Sequence, residues 1–244
     1  MRRVIASLAF LLASPFAQAG FIFIDDFVTP MSVQTASTTA AVTASGSVNT
    51  LTAIGVEREL SVSKSATTGA RQVTASTNGS DLDRFAFSAP ASTSATALLT
   101  WDGAGTGAGA AGLGGLDFGN PGGGFFEVGV EFADLAAQLA LTVFDATDSA
   151  KQARGVLNFV ALDGTQILTL AFGDMQLLGG ANSSIFSNVG AITMLVNSGV
   201  PTVQALDVEI SQVRVFIPVP GTVPLALLGL GLVAAARRRR LLAA

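Results

Sequence analysis

The 244-residue sequence contains no histidine, no cysteine and no tyrosine. Without cysteine there is no disulfide and no thiolate nucleophile. Without histidine there is neither an imidazole ligand nor a Ser-His-Asp triad. Charge is scarce too, with Asp, Glu, Lys and Arg at 12% of the chain against a usual quarter or so. What charge there is divides unevenly. Arg2, Arg3, Arg237, Arg238, Arg239 and Arg240 stand at the two ends. The middle keeps Arg58, Lys64, Arg71, Arg84, Lys151, Arg154 and Arg214 against all 17 acidic residues, a net charge of −10. Such a middle repels phosphate backbones, which argues against nucleic acid as a partner. Half the residues are hydrophobic, enough for a sizeable core in one or two domains.

Long apolar runs occur only at the ends. Met1-Arg2-Arg3 precedes an apolar run over 4–13, then Ser14-Pro15-Phe16-Ala17-Gln18-Ala19. A basic start, an apolar stretch of about ten residues and a small-x-small ending at Ala17 and Ala19 describe a secretory signal peptide. Cleavage after Ala19 starts the mature chain at Gly20. A buried N-terminal helix is the bland alternative, and it leaves the Arg pair, the proline and the Ala-x-Ala ending unexplained.

At the other end, Ile217-Pro218-Val219-Pro220-Gly221-Thr222-Val223-Pro224 leads into an apolar run over 225–236, followed by Arg237 to Arg240. As a helix the run is about 18 Å long, against a hydrocarbon core of about 30 Å. Extended back to Val219 it approaches the lower limit of a span. The arginines hold their side in the cytoplasm, so an exported body stays outside the inner membrane.

Proline pair, short Leu/Gly/Ala run and terminal arginine cluster together resemble a PEP-CTERM sorting domain over 218–244. The sorting signal is then Pro218, Val219 and Pro220 with Arg237, Arg238, Arg239 and Arg240. Val219 stands where the usual form has glutamate. The resemblance implies recognition and cleavage by an exosortase-like enzyme, contact with the inner membrane through the tail before processing, and an exopolysaccharide or biofilm setting. The alternative is a C-terminal anchor that is never processed.

Between the ends, over 20–217, period-2 alternation is frequent and amphipathic helical stretches are scarce. Phe126, Val128, Val130 and Phe132 alternate with polar residues and glycine, as a half-buried strand does. Further strands are expected over 139–145, 156–162, 166–172, 191–196 and 206–217. The first half supplies others over 21–28, 51–54, 59–63, 71–76, 84–88 and 95–101. Asp163-Gly164 reads as a hairpin turn, and the phase change at Ser211-Gln212 as a bulge. Residues 134–140 could form a helical turn. About a dozen strands with few helices must cover one another as two sheets. The expected fold is all-β, a β-sandwich of jelly-roll type, with a signal helix at the N-terminus and a short apolar helix at the C-terminus. A β-helix would need a fixed repeat, and none is found.

Asp25-Asp26-Phe27, Gly55-Val56-Glu57-Arg58-Glu59-Leu60, Trp101-Asp102-Gly103, Gly114-Gly115-Leu116-Asp117 and Val189-Gly190-Ala191-Ile192 resemble landmarks of secreted PEP-CTERM proteins. That likeness implies an exported β-domain and no activity.

The candidate chemistry is thin. Residues 103–124 hold 11 glycines, and Gly107 to Gly112 match G-x-G-x-x-G. No strand-to-helix context follows, so a surface loop is expected rather than a nucleotide site. Asp25 with Asp26, Glu57 with Glu59, and Asp81 with Asp83 form acidic pairs, read as solvated surface before calcium ligands or catalytic carboxylates. Asp81 and Asp83 are the weak calcium candidates by ligand density, and no cofactor or other metal is expected. Arg58, between two glutamates, faces the other way and pairs elsewhere. Trp101 closes an apolar run, which favours the core, but Asp102-Gly103 beside it allows a glycan contact at a loop edge. The reading is an exported, non-enzymatic envelope or matrix protein. Its alternatives are a carbohydrate-binding module using Trp101 and, more distantly, a carboxylate-based glycan-active enzyme.

Overall fold

The computed structural model describes residues 20–77, 83–103, 112–119, 123–199 and 202–217. The expected signal helix, the sorting tail and half of the glycine-rich stretch (104–111 and 120–122) lie outside them. Residues Phe21–Ile217 pack as one unit. The strands are β1 (Gly20–Asp25), β2 (Met31–Gln34), β3 (Val42–Asn49), β4 (Glu57–Lys64), β5 (Thr74–Thr77), β6 (Phe85–Ser88) and β7 (Ala95–Trp101). They continue as β8 (Phe125–Ala133), β9 (Ala137–Asp145), β10 (Gln152–Phe159), β11 (Leu162–Ala171), β12 (Gln176–Leu178), β13 (Val189–Val196) and β14 (Asp207–Ile217). Three short 3-10 turns are the only helical pieces among the described residues.

The strands form two sheets, a β-sandwich of jelly-roll type. The first has the order β11-β8-β14-β6-β5-β2, with β1 also paired to β14; the second runs β12-β10-β9-β13-β7-β4-β3. Alternation explains why each sheet presents one apolar face. Phe85, Phe87, Phe126, Val128, Val208, Ile210, Val213 and Val215 point inward from the first sheet, and all are buried. Leu60, Val62, Leu99, Leu139, Leu141, Val143, Ile192 and Met194 meet them from the second. The sheets interlock closely at Gly155 on β10. A Cβ there would lie 2.4 Å from Leu170 Cδ2 on β11, so the absent side chain makes room for leucine from the opposite sheet.

Several expectations change. The bulge at Ser211-Gln212 is present as a register shift in the β14–β8 pairing between Ile210 and Gln212. Asp163-Gly164 is no hairpin turn: it lies inside β11, where the register against β8 shifts between Asp163 and Gln166 and Gly164 takes φ 125. The chain crosses between sheets just before it, so β10 and β11 belong to different sheets. Residues 51–54 are the connection of the β3–β4 hairpin rather than a strand. Thr50 N–H donates to Val56 O at 2.9 Å across it, and Leu51 is left 94% exposed. The helical turn over 134–140 is absent. Asp134 is tied to β14, accepting from Asp207 N at 2.7 Å, and β9 has already begun at Ala137.

Candidate functional site

Asp25, Arg58 and Trp101, far apart in sequence, meet in the interior. Asp25 ends β1, Arg58 is the second residue of β4, and Trp101 ends β7. The Arg58 guanidinium donates through Nη1 to both Asp25 carboxylate oxygens, at 2.9 and 2.8 Å, and Trp101 Nε1 donates to Oδ2 at 2.9 Å. Phe27 N–H adds a fourth bond at 2.8 Å. Arg58 Nη2 donates to Thr29 O and Thr77 Oγ1 at 2.5 and 3.0 Å, and the guanidinium lies 5.6 Å from the Phe27 ring centroid. Burial pushes the Asp25 carboxyl above its ordinary value, against the pull of Arg58 and of the Trp101 and Phe27 N–H groups. All three side chains are 0% exposed. The cluster is therefore a structural clamp that no substrate reaches.

Trp101 thus lies in the core, as the apolar run favoured, and the alternative of a glycan contact at a loop edge falls away. Its ring is walled into the core, its one polar atom is used by Asp25, and it offers no face on which a sugar ring could stack. The other quoted stretches pack around the same end. Gly103 takes φ 84, and a Cβ on it would sit 2.3 Å from Gly112 O. Leu113 N–H donates to Gly190 O at 3.0 Å, and Leu116 and Val189 form an isolated bridge.

The acidic pairs separate. Asp25 is in the clamp while Asp26 is half-buried beside it. Asp83 is exposed, and Asp81 lies outside the described residues. Among the described residues no group of three His, Cys, Asp or Glu is placed to hold a metal ion. Glu57 and Glu59 do share a face, the outer face of the second sheet, while Arg58 points inward to Asp25.

That outer face carries the site the sequence reading missed. The registers align Ser47, Glu59, Thr100, Thr193, Thr142, Arg154 and Gln176 as one polar row across all seven strands. Beside it runs a second row of Ser45, Ser61, Leu98, Leu195, Ala140 and Val156. Where the rows cross β3, β4 and β7 the surface sinks into a depression of ≈ 380 Å³. It is lined by Ser45, Gly46, Ser47, Glu59, Leu60, Ser61, Leu98 and Thr100. Hydroxyls, one carboxylate and a leucine offer hydrogen bonds and an apolar patch within one shallow surface. Cross-strand neighbours are invisible until the registers are known, which is why isolated serines and threonines gave no signal.

Burial lifts the Glu59 carboxyl above its ordinary value, and the negative charges of Asp102 and Glu57 lift it further. The native state therefore holds this proton more tightly than the unfolded chain. The stability it contributes is fully present below pH 4.5, the ordinary value, and is lost as the pH rises through the raised native value. Glu59→Gln should raise the melting temperature relative to wild type at pH 7 and lose that advantage at pH 4. An identical shift at both pH values would show that the carboxylate is not repelled.

Signal-cleavage residues Ala17 and Ala19, and the sorting residues Pro218, Val219, Pro220 and Arg237 to Arg240, lie outside the described residues. Gly20 opens β1.

Residues 216–240 match the PEP-CTERM protein-sorting motif, so the chain carries that motif from the last two residues of β14 onward. The motif implies export, surface or membrane anchoring and an exosortase-type processing partner. No curated protein matches the chain. Among solved structures, the chain is similar to a family 11 carbohydrate-binding module from Clostridium thermocellum in complex with a β-1,3-1,4-mixed-linked tetrasaccharide. That match has 7% identity and a TM-score of 0.40, covering 83% of this chain and 98% of that one. It is also similar to PfGH50B, with 8% identity, 57% and 21% coverage and a TM-score of 0.35. A third similar structure is the family 11 module of a cellulosomal cellulase of Clostridium thermocellum, with 7% identity, 82% and 95% coverage and a TM-score of 0.35.

Proposed function

We propose, from the sorting motif at residues 216–240, that this chain is an exported, non-enzymatic component of the cell envelope or extracellular matrix. The inner membrane holds its tail until an exosortase-like enzyme removes it, and exopolysaccharide is the setting in which the body then works. The observation that carries this is position. The motif begins at Phe216, inside β14, so the sorting tail joins the folded body without a linker. The non-enzymatic part draws on the body itself. A glycosidase sets two carboxyls about 5–9 Å apart on either side of the scissile bond. Glu57 and Glu59 instead stand along one strand of an open face, with Glu57 almost buried.

Intact mass of the protein from each fraction of its host tests the reading. A chain starting at Gly20 and ending within 218–224, in the outer envelope or medium, is expected. A chain that starts at Gly20 but keeps Arg237 to Arg240, in the inner membrane, would replace sorting by a permanent anchor.

A second reading, glycan binding, moves from Trp101 to the depression on the second sheet. Hydroxyl and carboxylate groups there sit beside Leu98, a pairing that suits the polar edge and apolar face of a sugar ring. If it holds, Ser47→Ala and Glu59→Gln each weaken binding of the host's soluble exopolysaccharide by calorimetry. Unchanged binding in both would remove this surface from consideration.

A further inference from the structure

The outer face of the first sheet carries an aromatic patch where the body meets its tail. Phe125 on β8 and Phe216 on β14 are register partners, with ring centroids 4.9 Å apart and stacked. Phe21 on β1 meets Phe216 at 5.4 Å and Phe125 at 6.1 Å, so three adjacent strands line up three rings. The Arg214 guanidinium covers Phe21 from 3.9 Å and donates to Glu127 Oε1 at 2.6 Å, so this cation at the rings is already paired with a carboxylate. Phe21, Ile22 and Phe23 are 41%, 41% and 48% exposed. Edge strands in water are usually blunted by lysine, proline or inward charges. β1 has none of these before Asp25, which is buried.

We propose that this patch rests on the lipid headgroups of the inner membrane while the tail is still attached. The proposal rests on the reading of the tail as a membrane segment. Residues 218–224 connect Ile217 to the apolar run and reach at most about 25 Å even when fully extended. β14 is about 33 Å long at 3.3 Å per residue. The tether is shorter than the strand it leaves, so the end bearing Phe216 and Phe21 is kept at the bilayer. Exposed Phe and Ile side chains are stabilised at the headgroup–acyl boundary, as the Phe and Leu face of an interfacial helix is, because that contact removes apolar surface from water. The patch lies at both points of attachment, since Gly20 follows the expected signal peptide and Ile217 precedes the tail.

The test uses the full chain reconstituted into phosphatidylethanolamine/phosphatidylglycerol vesicles with brominated acyl chains. Trp101 is buried and gives a steady background. Phe23→Trp places a reporter in the patch. Val160→Trp places one at the opposite end, since Val160 is 62% exposed beside Leu162, which pairs with Ala133 rather than Phe125. Phe23→Trp should lose most of its added emission and shift to shorter wavelength, with Val160→Trp unaffected. Should Phe23→Trp not fold, Phe21→Trp on the same face of the same strand serves. Full-chain sedimentation with vesicles and an unquenched reporter would overturn the patch and leave the tail reading standing. A chain that does not sediment with vesicles would overturn both. A blue shift that depends on protein concentration rather than on lipid would show a second copy covering the patch, and would also overturn it.

Discussion

Arg58→Ala should bring the body close to unfolding. Breaking a buried ion pair by removing one partner costs about 3–5 kcal/mol, because the remaining charge is left in the interior. A domain has only about 5–15 kcal/mol to lose. Here Asp25 would keep the Trp101 and Phe27 N–H donors but lose both guanidinium bonds, and Thr29 O and Thr77 Oγ1 would lose a donor as well. Denaturant midpoints at constant m-value measure the effect. Asp25→Leu with Arg58→Met removes both charges and should recover part of the loss. Recovery stays partial because the Trp101 and Phe27 N–H groups are then orphaned, at about 1–3 kcal/mol each. A shift below about 1 kcal/mol for Arg58→Ala, within the ordinary range of substitutions, would mean that the pair does not hold the sheets.

Trp101→Ala is the second large effect, expected at about 3–5 kcal/mol from lost burial and the cavity left behind. Trp101→Phe separates the contributions. It keeps most of the apolar contact and deletes the N–H to Asp25, so about 1–3 kcal/mol is expected from the weakened satisfaction of a buried carboxylate. Equal losses from both substitutions would place the weight on the hydrogen bond alone. Neither variant should alter polysaccharide binding beyond its effect on the folded fraction, because the ring has no exposed surface.

The strands were legible wherever burial falls on one face. Phe126, Val128 and Val130 announce β8, and Leu206, Val208 and Ile210 with Val213 and Val215 announce β14 together with its bulge. β3 was not, because its sequence VTASGSVN is nearly all small and polar, with no buried residue to mark a face. β2 and β12, at four and three residues, are too short to show a period. Asp163-Gly164 misled because the positive φ that suits a turn also suits a bulge. Alternation alone turns Arg58 away from its flanking glutamates. Its partner Asp25, 33 residues earlier, is a fact of packing that no local pattern encodes. The polar row from Ser47 to Gln176 stayed hidden for the same reason, since its members come from seven strands.

The place of β14 in the first sheet bears on when the body can close. The last strand stands in the middle of the sheet, with β8 along one side and β6 and β1 on the other. Until Asp207–Ile217 arrives, the inward rows of Phe126 and Val128 and of Phe85 and Phe87 have no common neighbour, and β1 has nothing to pair with. Such long-range pairing is slow to form, on the order of milliseconds to seconds. The topology thus delays closure of the first sheet until Asp207–Ile217 is available, at the C-terminal end of the described body. Closure therefore involves the residues where the sorting motif begins, since Phe216 and Ile217 belong both to β14 and to the motif. Strand order makes completion of the body depend on its C-terminal segment.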